Sequence, residues 1–148
     1  MNTKLKSSKV SRRQFVLLTF AVAMFCLIFS ACGPFEGYDD DSVIVKGSGF
    51  STKMSVETNT LSKYHLKCNE CNGVKTLKTI TLADNPALDI SLKVESGRFK
   101  VVLVRDGKVY NICDGNPGTP EPDTVIAAGE YTLKIVAEKA KVDFTINY

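Results

Sequence analysis

The last twenty residues of the chain, GEYTLKIVAEKAKVDFTINY (129–148), decide the fold class. Apolar side chains occupy every second position from Tyr131 to Ala137 and again from Val142 to Tyr148, with mostly polar residues between them. A period of two is typical of strands with one buried and one exposed face. We interpret the two runs as paired strands of a hairpin, joined by a turn at Lys139-Ala140.

The same alternation is present upstream. Residues 88–94 alternate in this way and end at Ser96-Gly97, a typical turn dipeptide. Residues 99–104 are almost wholly apolar, as expected for a central strand that is covered on both faces. Asp106-Gly107 then supplies the positive-φ positions of a tight hairpin into a strand over 109–113.

Weaker strand signals lie at 43–46, 54–60, 63–67 and 76–82. Together these runs make eight or nine short strands, and no segment after the N-terminal region has a sustained helical period. The pattern predicts an all-β fold, an antiparallel β-sandwich of the Ig-like or jelly-roll-like kind, as a single domain over 42–148.

The N-terminus has the layout of a secretory signal. Residues 1–13 carry five bases and no acid, and an apolar stretch follows over 15–31. This stretch is shorter than the roughly 20 residues of a membrane-spanning helix, and it ends in small residues. We therefore expect a helical, cleaved signal peptide over 1–31, with an uncleaved signal anchor as the alternative.

Phe29-Ser30-Ala31-Cys32 resembles the lipobox of bacterial lipoproteins. That resemblance implies cleavage before Cys32 and a diacylglyceryl group on its sulfur. Acyl chains bind the bilayer through buried methylene groups, so residues 32–41 become a lipid-anchored tether on the extracytoplasmic face of the cell membrane. Residues 11–15, Ser-Arg-Arg-Gln-Phe, also resemble a twin-arginine export signal, and this route stays open beside the general secretory one.

Net charge limits the partners of the exported part. The full chain has 19 Lys and Arg and 16 Asp and Glu, and removal of the five bases before Cys32 leaves 14 bases and 16 acids, a formal charge of −2. Neutralising phosphates requires clustered bases, so we expect no nucleic-acid partner. We interpret the acidic run Asp39 to Asp41 as part of a solvated tether rather than a calcium loop.

Residues 88–148 resemble the C-terminal half of small, uncharacterised lipoproteins of Gram-positive bacteria. The resemblance rests on Ser96-Gly97, Asp106-Gly107, Gly129-Glu130-Tyr131 and Lys139-Ala140-Lys141, in that order. It implies a β-sandwich and brings no catalytic or binding residues with it.

Three cysteines follow Cys32, and their chemistry has several interpretations. Cys68-x-x-Cys71-x-Gly73 resembles half of a zinc knuckle, and His65 with Cys113 would complete a four-ligand zinc site. Export instead favours a disulfide, either between Cys68 and Cys71 or from one of them to Cys113. Reduced thiols are the third alternative.

We assign no catalytic residues and expect no enzyme activity, and zinc is the one cofactor we consider. Our first hypothesis is a non-enzymatic module of the cell envelope whose loops, such as residues 114–123, or sheet face contact wall polymer or another envelope protein. The alternatives are a metal-binding lipoprotein that uses His65, Cys68, Cys71 and Cys113, and a small hydrolase that uses carboxylates.

Overall fold

Five antiparallel strands form one sheet in the computed structural model of the chain, which describes residues 35–84, 88–115 and 126–148. A short helix, α1, precedes the strands. The elements are α1 (Asp41–Lys46), β1 (Phe50–Asn59), β2 (Lys63–Leu82), β3 (Asp89–Arg105), β4 (Lys108–Asp114) and β5 (Gly129–Asn147). Their order across the sheet is β1-β2-β5-β3-β4, so β1 and β4 are the two edge strands.

The all-β class and the antiparallel pairing are confirmed. A sandwich of two separate sheets is not confirmed, because all the described strands belong to one sheet. The expected signal peptide over 1–31, Cys32 and most of the loop 114–123 lie outside the described residues. In the part of the chain that the structure describes, no helix is long and apolar enough to cross a membrane.

The strands are fewer and longer than the sequence predicted. β2, β3 and β5 have 20, 17 and 19 residues, and each joins two runs that we predicted as separate strands. The turn at Ser96-Gly97 and the hairpin at Lys139-Ala140 are wrong, since both dipeptides lie inside continuous strands. The hairpin at Asp106-Gly107 is confirmed, with φ angles of 52° and 74°.

The three long strands are irregular at neighbouring positions. Register shifts occur in β2 between Cys71 and Gly73, and in β3 between Val94 and Ser96. Gly97 has a φ of 72°, and a Cβ there would collide with the Lys139 carbonyl of β5. Bulges of this kind bend a strand and increase its twist, so Gly97 is required at a bend rather than in a turn.

The bend folds the sheet onto itself. Phe99 on β3 pairs with Ala137, seven positions before Phe144 on β5. Seven extended residues span about 23 Å, yet the Phe99 and Phe144 rings have centroids only 5.2 Å apart. The two halves of the long strands therefore pack on each other and enclose the main core, which also includes Leu66 and Leu133.

Residues 43–46, which we predicted as a strand, belong to α1, so that prediction is wrong. The Asp40 carboxylate accepts hydrogen bonds from the backbone N–H groups of Ser42 and Val43 and caps the helix. Ile44 packs on the sheet in a second, smaller cluster of buried residues. This cluster comprises Tyr38, Ile44, Val74, Val102 and Val136. We expected the folded part to start at Ser42. Ordered packing begins earlier than that.

Candidate functional site

The most exposed element of the sheet is β1. All of its residues after Phe50 are exposed, whereas every residue of β4 except Lys108 is half-buried. Among the described strands β1 pairs with β2 alone, so one row of its backbone groups faces away from the sheet. We call this free side of β1, with the exposed side chains of residues 51–59, the β1 edge.

Apolar side chains lie in the solvent along the β1 edge. Met54 and Val56 are 84% and 62% exposed, and Leu61, in the connection between β1 and β2, is 96% exposed. A long edge strand with exposed apolar side chains is a template for pairing with another chain. The β1 edge can therefore offer both backbone hydrogen bonds and apolar contacts to an extended polypeptide.

Two ion pairs tie the β1 side chains to β2. The Lys53 ammonium donates to both carboxylate oxygens of Glu70, at 2.9 and 3.0 Å. The Lys75 ammonium donates to the Glu57 carboxylate at 2.6 Å and lies 5.6 Å from the centre of the Tyr64 ring. One cation and one anion are thereby held four residues apart on the edge strand.

The cysteines lie at the bend of β2. Cys68 and Cys71 form a disulfide, one of the pairings that we considered, and both side chains are buried in the main core. Cys113 lies on β4, outside this disulfide. The bridge spans the register shift of β2, so it fastens the chain at the position where the strand bends.

His65 does not join the cysteines. Its Nε2 lies 3.1 Å from a carboxylate oxygen of Asp143, which also pairs with Lys67 at 3.3 Å. The hydrogen bond with His65 is the main cause of a lowered pKa at Asp143. The structure does not assemble the four proposed zinc ligands, and the described ranges contain no group of three or more His, Cys, Asp or Glu residues that could hold a metal ion.

Removing the disulfide is expected to cost about 2 kcal/mol of unfolding free energy, the loop-closure value for so short a ring. Urea unfolding of Cys68→Ala/Cys71→Ala measures this, and reductant should lower the melting temperature of the unaltered protein but not of the double variant. Cys113→Ser is the matched control and should keep its sensitivity to reductant. Destabilisation by a chelator instead of by reductant would contradict the disulfide and support zinc.

A polar cleft of about 280 Å³ lies near the β3–β4 hairpin. Arg105 in its wall donates to the Ala128 carbonyl at 3.0 Å and pairs with Asp106 at 3.4 Å. The Tyr131 hydroxyl donates to the Ala127 carbonyl at 2.9 Å. Because these hydrogen bonds fasten the start of β5, we interpret the groups of the cleft wall as structural.

A cluster of charged groups holds the segment before α1 on the sheet. Arg98 forms two hydrogen bonds of 2.8 Å with the Asp39 carboxylate and lies 3.9 Å from the centre of the Tyr38 ring. Lys100 approaches the same ring at 4.6 Å. Burial lowers the pKa of Lys100, and the ammonium lies 3.9 Å from Asp39. The acidic run that we expected in a solvated tether thus contains a residue paired with the sheet.

We expect the domain to lose stability in acid because of Asp39. The hydrogen bonds from Arg98 hold the pKa of Asp39 below its ordinary value of 3.8. A carboxylate with a lowered folded-state pKa stabilises the fold above its unfolded-state pKa, and this contribution disappears as pH falls below about 4. Thermal unfolding between pH 2 and pH 7 should show a shallower acid dependence for Asp39→Asn than for the unaltered protein. Equal acid slopes would contradict a role for this pair.

Comparisons with protein-family models, with curated proteins and with solved structures found no match to this chain. Sequence reasoning found strand signals over 54–60 but not their edge position. Lys53 and Glu57 within a strand with little apolar content are the signal that could have indicated an edge.

Proposed function

We propose that the protein is a lipid-anchored, extracytoplasmic binding module that contacts a polypeptide partner through the β1 edge. The observation that carries the proposal is the exposure of Met54 and Val56 on a ten-residue edge strand. Strand addition to an exposed edge obtains affinity from main-chain hydrogen bonds and specificity from alternate side chains. We assign no catalytic residue and no cofactor to the protein.

The length of chain between Cys32 and the fold supports a role at the membrane surface. Phe35 packs against the cluster around α1, and it lies three positions after Cys32, with Gly33 and Pro34 between them. Three extended residues reach about 11 Å at most. A diacylglyceryl group on Cys32 would thus hold the domain close to the lipid headgroups, where its partner would be an envelope protein rather than a distant layer of the cell wall.

The lipid anchor is tested by replacing Cys32 with serine in a bacterial host that processes lipoproteins. We expect unprocessed precursor and no diacylglyceryl group by mass spectrometry, because the acylated thiol is absent. Cys26→Ser, which alters a thiol inside the apolar stretch, is the matched control and should be processed and lipidated normally. Lipidation that survives Cys32→Ser, or its absence from the unaltered protein, would overturn the anchor.

The binding surface is tested by placing a photo-reactive amino acid at Val56 in the full chain in host cells. The matched control carries the same amino acid at Lys93, which is 75% exposed on β3. We expect covalent protein adducts at position 56 and few at position 93. Absence of adducts at position 56, or equal yields at both positions, would overturn the proposed function.

A further inference from the structure

We infer that the β1 edge pairs with the β1 edge of a second copy of this chain, in antiparallel orientation about a two-fold axis at Ser55. This inference rests on the proposed function and names the partner of the same surface. It would join two five-stranded sheets into one continuous sheet of ten strands. The interface would be isologous, with the same residues contributed by both copies.

The inference is supported by the charges on β1, which complement those of a second copy across the two-fold axis. When Ser55 faces itself across the axis, Lys53 of one copy lies opposite Glu57 of the other, and symmetry repeats the pair. Opposite charges in directly facing positions stabilise an antiparallel pair. Each charge already has a partner on its own β2 strand, so the pairing would extend two existing ion pairs into networks across both copies.

The uncharged side chains agree with the same register. Met54 faces Val56 of the other copy, and Thr52 faces Thr58. The two facing apolar pairs would cover the most exposed apolar side chains of β1 itself. Met54 has a φ of 48°, so the backbone is irregular at that residue and regular pairing would rest on the residues that flank it.

Other antiparallel registers lack this complementarity. A shift of the axis to Met54 or Val56 places both Lys53 and Glu57 opposite uncharged residues. An axis at Lys53 or at Glu57 places like charges opposite each other, which destabilises the pair. The pattern of charges on β1 therefore selects the register centred on Ser55.

Membrane attachment would favour this association. Two-fold symmetry puts residue 35 of both copies at the same height along the axis, so both lipid anchors can enter one membrane. Confinement to a surface raises the effective concentration of the partner, so a modest strand-to-strand interface can suffice. The second copy is thus a partner that is always present beside the first.

The test uses charge reversal in full-length, lipid-anchored chains with two different affinity tags, expressed together and captured from gently solubilised membranes. Lys53→Glu copies should capture one another about ten-fold less than unaltered copies, because acids then face acids. Glu57→Lys copies should show the same loss, because bases face bases. A mixture of Lys53→Glu with Glu57→Lys should recover capture, because each acid again faces a base.

The mixture also controls for the loss of ion pairs within each copy. Each variant has lost an ion pair to its own β2 strand, and mixing does not restore that pair, so recovery can come only from contacts between copies. A second measurement pairs Ser51→Cys with Asn59→Cys, which face each other in the proposed register. A short thiol crosslinker should join the two variants in a mixture and neither variant to itself.

The outcomes separate the inference from the proposed function. Two results together support a second copy of the chain as the partner. Capture recovers in the mixture, and the adducts at position 56 have twice the mass of the chain. The inference of pairing between two copies is wrong if unaltered copies do not capture each other. It is also wrong if the charge-reversal variants are captured as well as the unaltered copies. If position 56 then yields adducts of another mass, the proposed function stands with a different polypeptide. If it yields none, both fail.

Discussion

Replacing Phe144 with alanine is expected to lower the unfolding free energy by about 3–5 kcal/mol, the usual cost of removing a buried aromatic ring. Phe144 is fully buried, and its ring contacts Phe99 and Tyr64, with centroids 5.2 and 6.1 Å away. Phe99 belongs to the other half of the bent sheet. The cavity would therefore open where the two halves meet, and neither half can easily collapse into it.

Urea unfolding measures this cost, with Phe50→Ala as the matched control. Phe50 is a half-buried phenylalanine on β1 that packs at the margin of the same core. We expect its removal to cost less than half as much, because much of its surface remains in water. If both variants lose a similar unfolding free energy, the packing between the two halves adds no more stability than packing at the margin of the core. A cost below about 1 kcal/mol at Phe144 would contradict the bent sheet.

Alternation along the chain predicted the buried faces of the strands but not their lengths. Leu133, Ile135 and Phe144 are buried as the period of two predicted. The dipeptide Ser96-Gly97 is compatible both with a turn and with a bulge, because both conformations use a glycine with positive φ. The choice depends on which strand lies beside it, and β5 continues past this point with Lys141 and Glu138 as partners. Local sequence does not contain that information.

The helix was missed for a related reason. Val43, Ile44 and Val45 are β-branched and favour a strand locally. Tertiary contacts override that preference, since Asp40 caps the N-terminus and Ile44 is completely buried against the sheet.

Edge position is likewise a property of the whole sheet. The sequence predicted strand residues over 54–60, but only the strand order shows that Met54 and Val56 face solvent at an edge.

Lys134 is the clearest departure from the pattern of alternation, which placed it on an exposed face. It is only 5% exposed, because α1 covers that face of β5. Its ammonium donates to the carbonyl oxygens of Ile44, Val45 and Gly47, at 2.9, 2.8 and 3.1 Å. Carbonyls at the end of a helix lack partners within it, so Lys134 supplies the donors that the end of α1 requires. Burial lowers the pKa of Lys134, whereas the three acceptors favour the charged form.

Lys134→Met is therefore expected to lower the unfolding free energy by about 2–4 kcal/mol. The methionine fills similar space but leaves three carbonyl oxygens without this donor, and the loss exceeds the gain from no longer burying a charge. The damage should be local, so hydrogen exchange should accelerate most at the backbone amides of 43–47, together with a lower urea midpoint. Lys93→Met, at a lysine 75% exposed on β3, is the matched control and should change stability by less than about 0.5 kcal/mol. Unchanged exchange in α1 of Lys134→Met would show that the helix is held by Ile44 and its apolar neighbours alone.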